Sequence, residues 1–171
     1  IQSTELQWSK DGSHIVEAND LNPLPASFTA KEETWTAQVR AYDGALWSPW
    51  SSSASLTVGN TAPVVDDAHL TSSTFTVVDD LTLNLTSSDV DADEVSIVGV
   101  RWFLNDVEQG IAIDETSLPA SALTRGDAWH AVVTVSDGTD EASSTTEAVT
   151  VQNAAPTASI EWPENVTAMQ D

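Results

Sequence analysis

Cysteine is absent from the 171 residues, so neither disulfides nor thiolate metal ligands contribute to the fold. Basic side chains are scarce: five stand against 27 acids, for a formal net charge of −22. A chain this acidic repels a phosphate backbone. That excludes nucleic acid and anionic membrane surfaces as partners and leaves divalent cations and basic surfaces. No apolar run approaches the ~18 residues of a membrane span, so direct membrane insertion is not expected. Nothing reads as a signal peptide, and any export signal is expected outside this stretch. Catalytic groupings are missing too. The three histidines, at 14, 69 and 130, have no nucleophile, glycine loop or ligand spacing beside them, so no active site is expected. His130 is expected to face solvent from an outward strand position.

What is present is a repeat. WTAQVRAYDG, from Trp35 to Gly44, returns 94 residues later as WHAVVTVSDG, from Trp129 to Gly138. Both copies alternate apolar and polar residues and stop at Asp-Gly, the pattern of a strand buried on one face and ended by a turn. The inward sets are Trp35, Ala37, Val39 and Ala41 in one copy, and Trp129, Ala131, Val133 and Val135 in the other. Trp8 and Trp102 are also 94 apart, each followed by a polar hairpin turn, SKDGS and LNDVEQG. Pro25 and Pro119 keep the same offset, in segments suited to loops or edges. Asn-x-Ala-Pro closes each copy, at Pro63 and Pro156, and reads as a joint because proline ends strand pairing and stiffens linkers. Between them, two strands are expected near STFTVVDD and LTLNLTSS, followed by the loop DVDADE. In LTLNLT, Leu81, Leu83 and Leu85 share one face.

About seven short strands per 94-residue unit, no credible helix and regular turn signals predict an all-β fold. Its architecture is expected to be tandem immunoglobulin/fibronectin-like β-sandwiches. Residues 1–60 form a repeat lacking its first strands, 61–153 a complete repeat, and 154–171 the opening of a further one. Either the segment belongs to a longer array, or another chain supplies the missing strands by strand addition. The acidity is concentrated in the complete repeat, where residues 61–153 hold 17 acids and two bases, against seven and three in residues 1–60.

DVDADE, Trp102, WHAVVTVSDG and NAAP together resemble the tandem immunoglobulin-like repeats of prokaryotic surface proteins, of the polycystic-kidney-disease type and cadherin-like type. The resemblance implies a spacer, stalk or adhesin in exported proteins, or an accessory module on secreted enzymes. The first repeat departs from it by lacking the acidic loop.

Four candidate sites follow. Asp89, Asp91, Asp93 and Glu94 place hard oxygen ligands as Ca2+ requires, without the glycine and distal glutamate of an EF-hand loop. In the sandwich topology this loop lies at the same end as Asp137 and the linker around Asn60. A calcium ion there would stiffen the joint, as the cadherin-like resemblance implies. WSPWS, residues 47–51, resembles the WSxWS sequence of cytokine-receptor fibronectin domains, with Arg40 on the outward face beside it. A ladder of Arg40, Trp47 and Trp50 is expected, against carbohydrate stacking on exposed tryptophans. Asn84 and Asn165 head glycosylation sequons. Arg125-Gly-Asp127 reads as the turn before Trp129.

The expected function is structural: a segment of an extracellular surface stalk, filament or sheath. Its partners would be neighbouring repeats or copies of itself, with glycans as a coat. The alternative is an adhesin or carbohydrate-binding accessory module.

Overall fold

The computed structural model describes residues 1–71, 75–111 and 115–159. Residues 3–57 carry one four-stranded sheet, built from β1 (Ser3–Lys10), β2 (Ser13–His14), β3 (Thr34–Tyr42) and β4 (Ala54–Thr57). Their order is β2-β1-β3-β4, all antiparallel. The following residues form β5 (Val64–Leu70), β6 (Leu81–Ser88), β7 (Ser96–Leu104), β8 (Val107–Glu108), β9 (Ser117–Leu118), β10 (Ala128–Ser136), β11 (Glu141–Thr145) and β12 (Val149–Thr150). They make a sheet of order β11-β10-β7-β8, with β12 also on β10, and a second of order β5-β6-β9. The protein is all-β, with the paired sheets of an immunoglobulin/fibronectin-like sandwich.

Local chemistry explains why the same turns recur. Asp11 and Gly12 have φ of 48° and 80°, and Asn105 and Asp106 have 48° and 66°. Two successive positive-φ residues make the tight turn whose twist matches a hairpin, which Asp, Asn and Gly tolerate best. Asp11 Oδ1 then accepts from the Thr34 amide at 2.9 Å, as Asn105 Oδ1 does from Ala128 at 3.1 Å. The Trp8 indole donates to Leu21 O at 3.0 Å, and Trp102 to Glu115 O at 2.8 Å. Pro25 and Pro119 each start a single 3₁₀ turn, Ala26–Phe28 and Ala120–Ala122. With Val16–Ala18, these short turns are the helical structure among the described residues.

Two expectations are corrected. Where it is described, the strand placed at STFTVVDD is a single bridge from Thr76 to Gln152 followed by a turn. Asp79 Oδ2 accepts from Thr76 N at 3.0 Å and from Thr76 Oγ1 at 2.7 Å, so an aspartate side chain takes the bond a ladder would need. The strand lies earlier, at β5, where Asp66 and Asp67 disguise the alternation. Residues 73–74 of that stretch lie outside the described set. The inward face of β10 is buried throughout, with Ala131, Val133 and Val135 at 0 % exposure, but Val39 of β3 is 44 % exposed. The alternation is the same in both; the covering layer is not.

The chain gathers into two compact units. One contains Ile1–Asp67, Leu85–Gly99 and Val133–Ser144; the other contains Ala68–Asn84, Val100–Val132 and Thr145–Asp171. Strands β5, β6, β7, β10 and β11 therefore each contribute residues to both. The second unit has a core of large apolar side chains, with Leu81, Val100 and Trp102 fully buried and Trp129 nearly so. The first unit joins the four-stranded sheet to the acidic loop and the Asp137 turn.

Candidate functional site

The acidic loop follows β6 and reverses through Ala92, at φ 64°, a conformation costly for a residue with a Cβ. Asp89 Oδ1 organises it by accepting from the Asp91 amide at 2.7 Å and the Asp93 amide at 3.4 Å. One carboxylate oxygen from each of Asp89, Asp91 and Asp93 then lies within 4.8 Å of the others. Glu94 is exposed and stands outside this group.

The turn after β10 is built on Asp137. Its Oδ1 accepts from the Thr139 and Asp140 amides, both at 2.7 Å, and Gly138 supplies φ 91°. Its Oδ2 accepts from Asn60 Nδ2 at 2.9 Å, and the same amide donates to Asp140 Oδ2 at 2.8 Å. The Asn60 amide, followed by the Asp140 backbone amide, holds the Asp137 carboxyl below its ordinary range.

Residues of 1–61 complete the cluster. The Thr61 amide donates to Asp91 Oδ2 at 2.7 Å. Lys31 Nζ reaches Asp93 Oδ2 at 2.7 Å; that hydrogen bond is the main reason its pKa is raised, with the charges of Asp93 and Asp137 adding to it. Lys31, Asn60 and Thr61 thus meet Asp91, Asp93, Asp137 and Asp140 inside one compact unit. Lys31 and Asp140 were not singled out in the sequence. The available signal was scarcity: each of five bases among 27 acids is a natural partner for a carboxylate cluster.

Two oxygens stand out. Asp89 Oδ2 and Asn60 Oδ1 are buried atoms with no hydrogen-bond partner. Buried acceptors normally have one, because an unmet group forfeits its bonds to water. The Asp89–Asp91–Asp93 group offers oxygen donors of the type a hard cation takes. Asp137 spends its oxygens on Asn60 and its own turn.

The other candidates separate. Arg40, on β3, lies over Trp47 at 4.5 Å and over Trp50 at 4.6 Å from its guanidinium carbon to the ring centroids. Its Nε donates to Glu5 Oε2 at 2.7 Å, and Tyr42 packs on Trp47 at 5.1 Å. The segment is tied to β3 by Ser48 N to Ala41 O and Ser51 N to Val39 O. Asn84 is exposed on β6, while Asn165 lies outside the described residues. Gly126, in the Arg125–Asp127 segment, has φ 92°, as a turn requires. His130 corrects its expectation: it stacks on Phe103 at 4.7 Å and 4°, with its side chain 18 % exposed. The neighbouring outward position of β7 holds an aromatic ring that covers it.

No family model matches the chain, and no curated protein matches it. Among solved structures, it is similar to the FN1–FN3 fibronectin domains of chicken CNTN1, at 12 % identity and a TM-score of 0.35. That alignment covers 88 % of this chain and 54 % of the other, so the chain spans about half the length of that structure. Among the described residues, no helix is long and apolar enough to cross a membrane.

Proposed function

We propose that the chain is a structural segment of tandem immunoglobulin-like repeats, of the kind that builds an extracellular stalk, filament or sheath, and that its joint is braced. The observation that carries this reading is the pinned linker. Asn60 and Thr61 are held by three side-chain acceptors, and Lys31 adds an ion pair to Asp93. A free linker solvates its polar groups in water; this one spends them on carboxylates 30 to 80 residues away. Such a joint transmits force and sets an angle. The resemblance to surface repeats of the polycystic-kidney-disease and cadherin-like types supports the same role.

Calcium belongs to this proposal as the brace's second component, held by Asp89, Asp91 and Asp93, the second of which also accepts from the linker amide of Thr61. The support is the converging carboxylates together with the orphaned oxygen of Asp89. Glycans on Asn84, and at the Asn165 sequon, would coat the surface. An adhesive or carbohydrate-binding role would use Trp47 and Trp50 as stacking platforms, whereas Arg40 already lies over both rings.

Hydrogen exchange tests the braced joint. The Thr61 amide is expected to be protected at a level comparable with the strand amides of β3. Exchange at the rate of an unstructured peptide would refute the reading.

A further inference from the structure

The chain holds two versions of one apolar face, and the first is covered less: Trp35 is buried at 4 %, but Trp8, Leu24 and Val58 are only half-buried. In the first repeat, Trp8, Leu24, Trp35, Leu56 and Val58 line a groove of about 320 Å³. All five lie in a single compact unit. At the offset of 94 residues (93 after the Asp-Gly turn), their counterparts are Trp102, Leu118, Trp129, Val149 and Val151. Trp102, Leu118, Trp129 and Val151 are buried to within 3 %. Leu56 is 71 % exposed, on the edge strand β4. The second repeat also has what the first lacks at this place. There β6 pairs with β9, Leu81 opposite Leu118 and Thr82 opposite Ser117, and the Leu83 amide donates to Thr116 O at 2.9 Å. Leu81 and Leu83 are buried in the same unit as Trp102 and Trp129.

We infer that the groove on β1, β3 and β4 binds an extended strand carrying leucine-type side chains at alternate positions with hydroxyl or amide residues between them. Such a strand pairs with the backbone around Asn22–Leu24, the counterpart of Thr116–Leu118, and lays its leucines over the half-buried Trp8 and Leu24 and the exposed Leu56. Backbone pairing supplies affinity and the alternate side chains supply selection, as in strand addition generally. The unpaired apolar face and the exposed edge strand are the features that invite this mode. The inference rests on the repeat reading above and specifies its partner chemistry. The occupant is defined by the internal template: the sequence Leu-Thr-Leu-Asn-Leu-Thr of residues 81–86.

The test uses the whole 171-residue chain and a synthetic peptide of residues 79–88. Titration is expected to give a saturable blue shift of tryptophan fluorescence. A control peptide with the three leucines replaced by serine is expected to give none. Leu56→Arg, at an exposed site that does not threaten folding, is expected to weaken binding at least about tenfold, as an unpaired charge placed against buried apolar surface would. Asn60→Ala is expected to leave it unchanged. Absence of a shift, or equal binding of both peptides, would overturn the inference. So would self-association of the chain that Leu56→Arg abolishes and the peptide does not compete away, which would assign the groove to another molecule's folded surface. Failure here leaves Thr61 protected, whereas failure of the braced joint exposes Thr61 and leaves the titration intact.

Discussion

Glutamate at position 127 should stabilise the second repeat, because the first repeat displays the bond the second lacks. In the first, the Trp35 indole donates to Glu33 Oε2 at 3.0 Å. In the second, the indole nitrogen of Trp129 is buried without a partner, and position 127 holds aspartate, one methylene shorter. The surrounding backbone is the same. Val58 N bonds Glu33 O and Val151 N bonds Asp127 O, while Glu33 N and Asp127 N bond Ala30 O and Thr124 O. A buried unmet donor costs about 1–3 kcal/mol, and an added hydrogen bond returns about 1 kcal/mol net. Ordering one longer side chain subtracts a fraction of that. Asp127→Glu is therefore expected to add about 1 kcal/mol, a rise of about 2–4 °C in the unfolding midpoint for a chain of this size. Calorimetry reads the shift, and a double-mutant cycle assigns it. In a Trp129→Phe background, which has no indole N–H, the same substitution should add nothing. An equal gain in both backgrounds, or no gain with tryptophan present, would refute the reasoning.

Calcium at a hundredfold excess over its dissociation constant should stabilise the chain by about 2.7 kcal/mol relative to chelator, and Asp89→Asn should remove the increment. An unchanged unfolding midpoint would leave the loop without a cation role. Glu33 gives a pH dependence of known sign. Its carboxyl is lowered from 4.5 to about 2, first by the Lys10 hydrogen bond, then by the Ala30 amide and the Trp35 indole. A folded pKa below the unfolded one stabilises fully above pH 4.5 and loses that contribution as pH falls through about 2. Urea unfolding of Glu33→Gln across this window should therefore show a shallower acid loss than the parent chain; parallel curves would contradict the assignment.

The repeat, the strand alternation and the hairpin turns were legible because each depends on residues close in sequence. Asp11-Gly12 and Asn105-Asp106 announce positive-φ turns, and the period of two in β10 announces its buried face. The Asp79 turn was not legible, since VVDD reads as strand until its aspartate caps Thr76. His130 was placed in solvent because alternation gives the side of the sheet but not the neighbour across it, here Phe103. The sandwich topology put the acidic loop, the Asp137 turn and the linker around Asn60 at one end, but not the bonds between them, and Lys31 and Asp140 were hidden. The partners of Lys31 and Asn60 are 62, 77 and 80 residues away, beyond any local pattern. Val39 reads as inward from the alternation of β3, but its exposure depends on the layer across from it, which β3 itself does not specify.

The braced joint is the centre of the account, and the lack of cysteine makes it directly measurable. Ser13→Cys and Ser96→Cys, both at exposed positions of the same compact unit, give two unique sites for spin labels on either side of the linker. The expected result is a single narrow distance distribution that broadens in a Lys31→Ala, Asn60→Ala variant. A broad distribution in the parent chain, unchanged by those substitutions, would contradict the claim that the linker is held.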